Sequence, residues 1–138
     1  STDVIVGFPG ETDGAFARTE DYLRATRFDG AFLFKYSSRP GTRAAGLPET
    51  VSEEEKNRRL ALLIELQHGL SAEANRRWVG REVEALVEGP ARRDPTQLYA
   101  RTRQFKAVVF PADGTPAGEL RRLRVTGSTP VTLVGEPA

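Results

Sequence analysis

Residues 3–8 (Asp3-Val4-Ile5-Val6-Gly7-Phe8) carry consecutive apolar side chains, the pattern of a strand covered by protein on both faces. Pro9-Gly10 ends it, because proline lacks a ladder donor and glycine accepts turn dihedrals. From Asp13 to Thr26 the spacing turns helical: Phe16, Thr19, Leu23 and Thr26 share a face, Arg18 and Asp21 point away, and Thr12 is the N-cap. Residues 30–36 read as a second strand, with Phe32, Phe34 and Tyr36 on one face and Ala31, Leu33 and Lys35 on the other. Strand, helix, strand is a βαβ unit, and its right-handed crossover makes the strands parallel. One such unit cannot cover both faces of a parallel sheet. The first half is therefore expected to be the edge of a larger α/β sheet or barrel, completed by residues outside this chain.

A polar loop rich in turn formers (residues 37–48) leads into a long helix. Ser52 and Glu55 have capping-box spacing, and Glu53-Glu54-Glu55 suits the positive end of the helix. Leu60, Leu63, Ile64, Gln67, Leu70 and Ala74 keep the helical period, Gly69 marks a potential break, and His68 reads as a surface residue. Near Trp78-Val79-Gly80 the apolar pattern changes to strand alternation. Five short strands are expected at 81–88, 97–103, 106–110, 119–126 and 131–136. That number of strands in so short a stretch suits a closed or nearly closed antiparallel barrel of OB-like size. The fold class is thus an α/β portion, residues 1–71, followed by a small all-β barrel, residues 72–138.

The chain has no cysteine and one histidine, so it offers no thiolate for a disulfide, zinc or iron–sulfur cluster. No catalytic residue and no metal ligand is singled out. Nothing approaches the ~18 apolar residues of a membrane span, and no signal-peptide pattern opens the chain, so a cytoplasmic, membrane-free protein is expected. Charge is uneven: residues 1–71 hold 9 basic and 11 acidic side chains, whereas 92–124 hold 8 basic and 3 acidic. The basic residues form three groups: Arg92 with Arg93; Arg101, Arg103 and Lys106; and Arg121, Arg122 and Arg124. Phe105 lies within the second group. Arginines beside an aromatic suit a polyanion with stackable bases, that is, RNA. An ordinary solvated face with Phe105 in the core fits the same residues, and a shared face for the three groups separates the two readings.

Two segments carry a family resemblance. Asp3-Val4-Ile5-Val6-Gly7-Phe8-Pro9-Gly10-Glu11-Thr12 is similar to the segment that follows the cluster-binding part of radical S-adenosylmethionine methylthiotransferases. Tyr36-Ser37-Ser38-Arg39-Pro40-Gly41-Thr42-Arg43-Ala44 resembles a second motif of that family, and the Leu66-Gln67 helix with the following barrel resembles its C-terminal part, a TRAM domain. The resemblance runs along essentially the whole chain. It implies that strands 3–8 and 30–36 are the fifth and sixth of a partial β/α barrel.

The branch most resembled methylthiolates N6-isopentenyladenosine at position 37 of tRNA. Relatives acting on threonylcarbamoyladenosine, or on ribosomal protein S12, are the alternatives; the latter usually have an acidic residue where this chain has Arg39. The family implies S-adenosylmethionine and two 4Fe–4S clusters in the whole protein, with every cluster cysteine outside this chain and no cofactor held by these residues alone. Carried over, the resemblance puts Val6, Gly7, Phe8 and Pro9 near the cofactor adenine, with Gly10 shaping the turn and Glu11 steadying it. Tyr36 and Arg39 would lie at the next strand end, toward substrate phosphate or cofactor. Arg92, Arg93, Arg101, Arg103, Phe105, Lys106, Arg121, Arg122 and Arg124 would grip the tRNA anticodon stem-loop. Ala100 departs from relatives that often have glycine there. Expected partners are tRNA and the rest of the enzyme, with self-association through the sheet edge as a further option. A stand-alone RNA-binding adaptor is the competing class. A phosphate cradle at Gly7-Phe8-Pro9-Gly10 matches neither the Walker A nor the dinucleotide spacing.

Overall fold

In the computed structural model, which describes residues 1–138, Thr2–Val6 (β1) and Ala31–Lys35 (β2) pair in parallel, in register from Thr2 opposite Ala31 to Val6 opposite Lys35. The crossover between them is the helix Asp13–Thr26 (α1). Thr12 Oγ1 caps it by accepting the Ala15 N–H at 3.1 Å, and Arg27 ends it in the left-handed region, its N–H donating to the Leu23 carbonyl. Val4, Val6 and Leu33 pack beneath Phe16 and Leu23, together with Leu60, Leu63 and Leu66 of the helix Glu53–Arg76 (α2). The opposite sheet face is bare: Ile5, Phe32 and Phe34 are 55%, 64% and 52% exposed. The expected βαβ unit is present, with one face covered and one open.

Two boundaries differ from expectation. β1 stops at Val6 because Gly7 turns to a φ of 73°, outside the strand region. Tyr36 does not share the exposure of Phe32 and Phe34; its N–H donates to the Val6 carbonyl and its ring is buried, edge-on to Phe8 with the centroids 5.2 Å apart. An added Cβ at Gly7 would overlap Cγ of Lys56, so a side chain here is barred by both dihedral and space.

Helix α2 starts as half a capping box. Ser52 Oγ accepts the Glu55 N–H, whereas the Glu55 carboxylate turns forward to Arg58 and Arg59. The helix does not break at Gly69. Gln67 donates to the Phe28 carbonyl and Ser71 to the Asp29 carbonyl, each at 2.8 Å, so the helix is held on both sides of the glycine. Those contacts outweigh a propensity cost of ~1 kcal/mol. The inner face of α2 is unusually polar, with Lys56, Arg59, Gln67, Ser71 and Asn75 all buried. Lys56 stays charged because its ammonium donates to Glu53 at 3.0 Å and pairs with Glu49 at 3.6 Å, and the hydrogen bond to Glu53 raises its pKa against the effect of burial. Hydrogen bonds from Arg58 and then Arg59 draw the Glu55 carboxyl down to about 2.

The strands Glu82–Pro90 (β3), Gln97–Thr102 (β4), Ala107–Pro111 (β5), Leu120–Ser128 (β6) and Leu133–Pro137 (β7) close into a barrel of order β3-β4-β5-β7-β6. Every neighbouring pair is antiparallel except β5 with β7. The expected closed five-stranded barrel is present, and its single parallel pair follows from parity, since five strands cannot alternate direction around a closed ring. Bulges between Val87 and Gly89 and between Val125 and Gly127 bend the two nine-residue strands around the corners. Inside are Val83, Ala85, Val87, Leu98, Ala100, Val108, Phe110, Leu123, Val125 and Leu133, with Trp78 packed against them. By contact density the chain divides into Ser1–Ser71 and Ala72–Ala138.

Phe110→Ala should destabilise the barrel by about 3–5 kcal/mol, read from the denaturant midpoint of the second transition. Gly7→Ala should cost the first unit roughly 1–3 kcal/mol through strain alone. The Glu55 contribution has a defined pH window. Its folded pKa lies below the ordinary 4.5, so its stabilisation is full above 4.5 and declines as pH falls toward about 2. Acid unfolding of Glu55→Gln should accordingly show a shallower pH slope in that window.

Candidate functional site

The loop after β1 is fixed from three sides. The Glu11 N–H closes a turn onto the Phe8 carbonyl at 2.9 Å, the Gly7 N–H donates to Glu11 Oε1 at 2.8 Å, and the Gly10 N–H donates to Thr50 Oγ1 at 2.7 Å. Glu11 is itself held by Arg59, whose Nη1 donates to its carboxylate at 2.8 Å and its carbonyl at 3.0 Å. The same guanidinium reaches Asp13 and Glu55 and packs over the Phe16 ring. Burial works against that charge, and the hydrogen bonds to Glu11 and Glu55 outweigh it, so the Arg59 pKa is raised. Phe8 stands at the tip of this rigid turn, 43% exposed. Pro9 is half-buried and Gly10 exposed. Val6 differs from the sequence reading: its side chain is fully buried in the core with Phe16, Leu23 and Leu63, so only its main chain borders the loop.

Tyr36 lies at the corresponding end of β2, its ring 5.4 Å from the Lys56 ammonium and its hydroxyl buried without a hydrogen-bond partner. Arg39 is exposed, and its carbonyl accepts from the Thr42 hydroxyl at 2.8 Å. Lys35, in β2, donates to Glu53 and Asn57, both at 3.0 Å. Sequence reasoning missed Lys56 and Arg59. The signal was available: 56, 59, 63, 67, 71 and 75 follow the helical period of the buried face, so polar residues there had to be partnered.

On the barrel, carboxylates pair with four residues of the three basic groups. Three glutamates of β3 engage arginines of both neighbouring strands: Glu88 with Arg101 at 2.8 Å, Glu84 with Arg103 at 2.8 Å, and Glu82 with Arg124 at 2.7 Å. Arg121 pairs with Asp113 at 2.7 Å, and that carboxyl lies below its usual range chiefly through hydrogen bonds from Thr115. Lys106 is a correction: it is buried, and its ammonium donates to Asn75 Oδ1 at 2.8 Å while the Asn75 amide donates to the Thr129 carbonyl. It braces the barrel and is not part of the surface. Arg92, Arg93 and Arg122 are exposed and pair with no carboxylate.

Phe105 is 81% exposed, which rejects the reading that puts it in the core. It ends a three-residue hairpin between β4 and β5, with its N–H on the Thr102 carbonyl and the Thr102 N–H on the Lys106 carbonyl. Its φ is 61°, a conformation that such loops ordinarily give to glycine. Arg92, Arg93 and Arg101 line a groove of about 830 Å³ together with Tyr99, Val131 and Val134.

Residues 76–138 match the TRAM domain family. The chain is 47% identical, over 99% of its length, to the tRNA-2-methylthio-N(6)-dimethylallyladenosine synthase of Moorella thermoacetica, of which it covers 31%. It is 49% identical over 98% of its length to the enzyme of that name from Chlorobium luteolum, covering 30% of it, and 47% identical over its full length to that of Chlorobium limicola, covering 31%. The chain thus spans less than a third of the length of the curated relatives it matches. Along both of its units, it is similar to the C-terminal, TRAM-containing region of these tRNA-2-methylthio-N6-dimethylallyladenosine synthases.

Proposed function

We propose that the full-length protein containing these residues methylthiolates N6-dimethylallyladenosine (isopentenyladenosine) at position 37 of tRNA. In this reading residues 1–138 supply part of the cofactor-pocket wall and the grip on tRNA. The observation that carries it is identity of 47–49% over 98–100% of the chain to three synthases of that name, spanning loop, helices and barrel alike. The reported relatives share this name, which favours it over the threonylcarbamoyladenosine and S12 branches.

The loop residues fit an adenine-bearing cofactor such as S-adenosylmethionine. They stand at the C-terminal ends of two parallel strands, where α/β sites gather. The turn is locked before any ligand arrives, and Phe8 offers an exposed ring beside it. Gly7, Phe8, Pro9 and Gly10 would line the pocket; Glu11 would act through the Gly7 N–H, since its carboxylate is already engaged. Tyr36 would support Phe8 from below, and Arg39 is placed to meet an anion. S-adenosylmethionine with an iron–sulfur cluster supplies the radical chemistry. Cluster ligands would come from elsewhere in the full-length protein, because this chain has no cysteine. The bare face of Ile5, Phe32 and Phe34 would then be covered by the remaining sheet of that protein rather than by a second copy. No helix is long and apolar enough to cross a membrane.

For RNA, the unpaired Arg92, Arg93 and Arg122 are the first phosphate contacts, and Phe105 is a stacking platform. Arg101, Arg103, Arg121 and Arg124 would join only by exchanging a carboxylate for a phosphate. The direct test is anaerobic turnover by the reconstituted full-length protein, with mass spectrometry of the tRNA. Methylthio incorporation into dimethylallyladenosine is expected; modification of threonylcarbamoyladenosine instead would reject the assignment.

Phe105→Gly separates structure from function. Relief of the left-handed strain should stabilise the barrel by about 1 kcal/mol, while RNA affinity falls roughly tenfold. Unchanged affinity would remove Phe105 from the interface. In the full-length protein Arg59→Gln should weaken S-adenosylmethionine binding and leave tRNA affinity unaltered, measured by equilibrium binding of each ligand.

A further inference from the structure

We propose that the groove on the outer surface of the barrel seats an unpaired ribonucleotide of the bound RNA, its base against the apolar side chains and its phosphate on the arginines. The proposal rests on the reading of the barrel as an RNA-binding domain and assigns to it a second base-contact point, separate from Phe105. The groove volume of about 830 Å³ falls in the range of small-ligand sites, roughly 300–1,000 Å³.

Its chemistry is divided. Its lining includes the apolar side chains of Val109, Val131 and Val134 with Tyr99, and the polar Gln97, Thr129 and Thr132. Val131 is 71% and Val134 38% exposed, so apolar surface is presented to solvent at neighbouring positions rather than singly. Arg92 and Arg93 also line the groove, are exposed, and pair with no carboxylate. The two carboxylates in the groove are both engaged. Glu88 holds Arg101, and Asp94 accepts the Thr96 N–H and hydroxyl at 3.0 and 2.6 Å, which lowers its pKa. Neither carboxylate forms an ion pair with Arg92 or Arg93. Arg101 is spent on Glu88 and on Tyr99, whose hydroxyl it donates to and whose ring it covers at 5.5 Å; it fixes the tyrosine as a rigid wall.

A lining that combines valines and a tyrosine with uncommitted guanidiniums suits a ligand that is flat and apolar at one end and anionic at the other. A nucleotide has that form. A duplex does not, because its bases are paired and stacked, so that phosphates, 2′-hydroxyls and base edges reach the protein but no base face does. The occupant is therefore a nucleotide from a loop or single-stranded segment.

The test titrates the 138-residue chain with an unmodified tRNA anticodon stem-loop. Val131→Asp and Val134→Asp each put a carboxylate in the lining, on exposed side chains whose replacement leaves the inner core intact; thermal melts check folding. Each should weaken binding at least about tenfold. Arg92→Ala with Arg93→Ala should lower the slope of log affinity against log salt by about 1.4, the value for two lost single-strand phosphate contacts. Arg24→Gln, on the exposed side of α1, serves as a charge control. Single-stranded RNA should compete and a blunt duplex should not. If the wild-type chain binds RNA and both aspartate variants bind equally well, the groove is not a base site, and RNA binding by the barrel stands without it. If the folded wild-type chain binds no RNA at all, the reading of the barrel fails and the groove proposal fails with it.

Discussion

A single buried guanidinium organises the first unit. Arg59 reaches from α2 to the loop after β1, to the first turn of α1 and back to its own helix, and it is 3% exposed. An isolated charge at that depth would be strongly unfavourable. Here its N–H groups have acceptors, and Glu11, its main partner, passes the constraint to the Gly7 amide. Loss of one member of such a cluster costs about 3–5 kcal/mol, because the other is left buried and unpaired. Lys56 completes the arrangement by occupying the space that a Gly7 side chain would need. The turn that carries Phe8 is thus rigid because two buried cations fix it, and rigidity is what a cofactor wall requires.

The barrel shows how a basic sequence can give a surface with few uncommitted cations. The acidic row on β3 lies between β4 and β6, so four of the eight basic residues in 92–124 are spent on carboxylates, including Arg121 with Asp113 from the loop after β5. Exposed pairs of this kind contribute little stability each. They leave Arg92, Arg93 and Arg122 exposed without a carboxylate partner, the positions open to an anion in the proposed RNA reading. Phe105 is held in a strained conformation at an exposed turn, a placement that the fold alone would not select.

Much of the architecture was legible in the sequence. The βαβ unit, with α1 at Asp13–Thr26 and its Thr12 cap, follows from apolar spacing and capping chemistry, and the five short strands follow from alternation. Features set by closure or tertiary contact were not. The parallel β5–β7 pair follows from ring parity, which no local pattern encodes. Gly69 sits inside a continuous helix because Gln67 and Ser71 tether it from either side. The basic groups were visible as residues, but pairing across strands decided which stay uncommitted, and Lys106 turned inward because Asn75 waits there. Arg59 and Lys56 were hidden by the habit of treating helix cations as solvated.

The claim that the loop is preset by Arg59 is tested most directly by amide hydrogen exchange at Gly7. With Arg59→Gln, the Gly7 amide should exchange much faster while the paired amides of β1 and β2 keep their protection, since the loop loses its Glu11 anchor and no ladder hydrogen bond involves Arg59. Gly7 protection that survives the substitution would mean the turn holds itself, and the buried guanidinium would be no more than a link between helices.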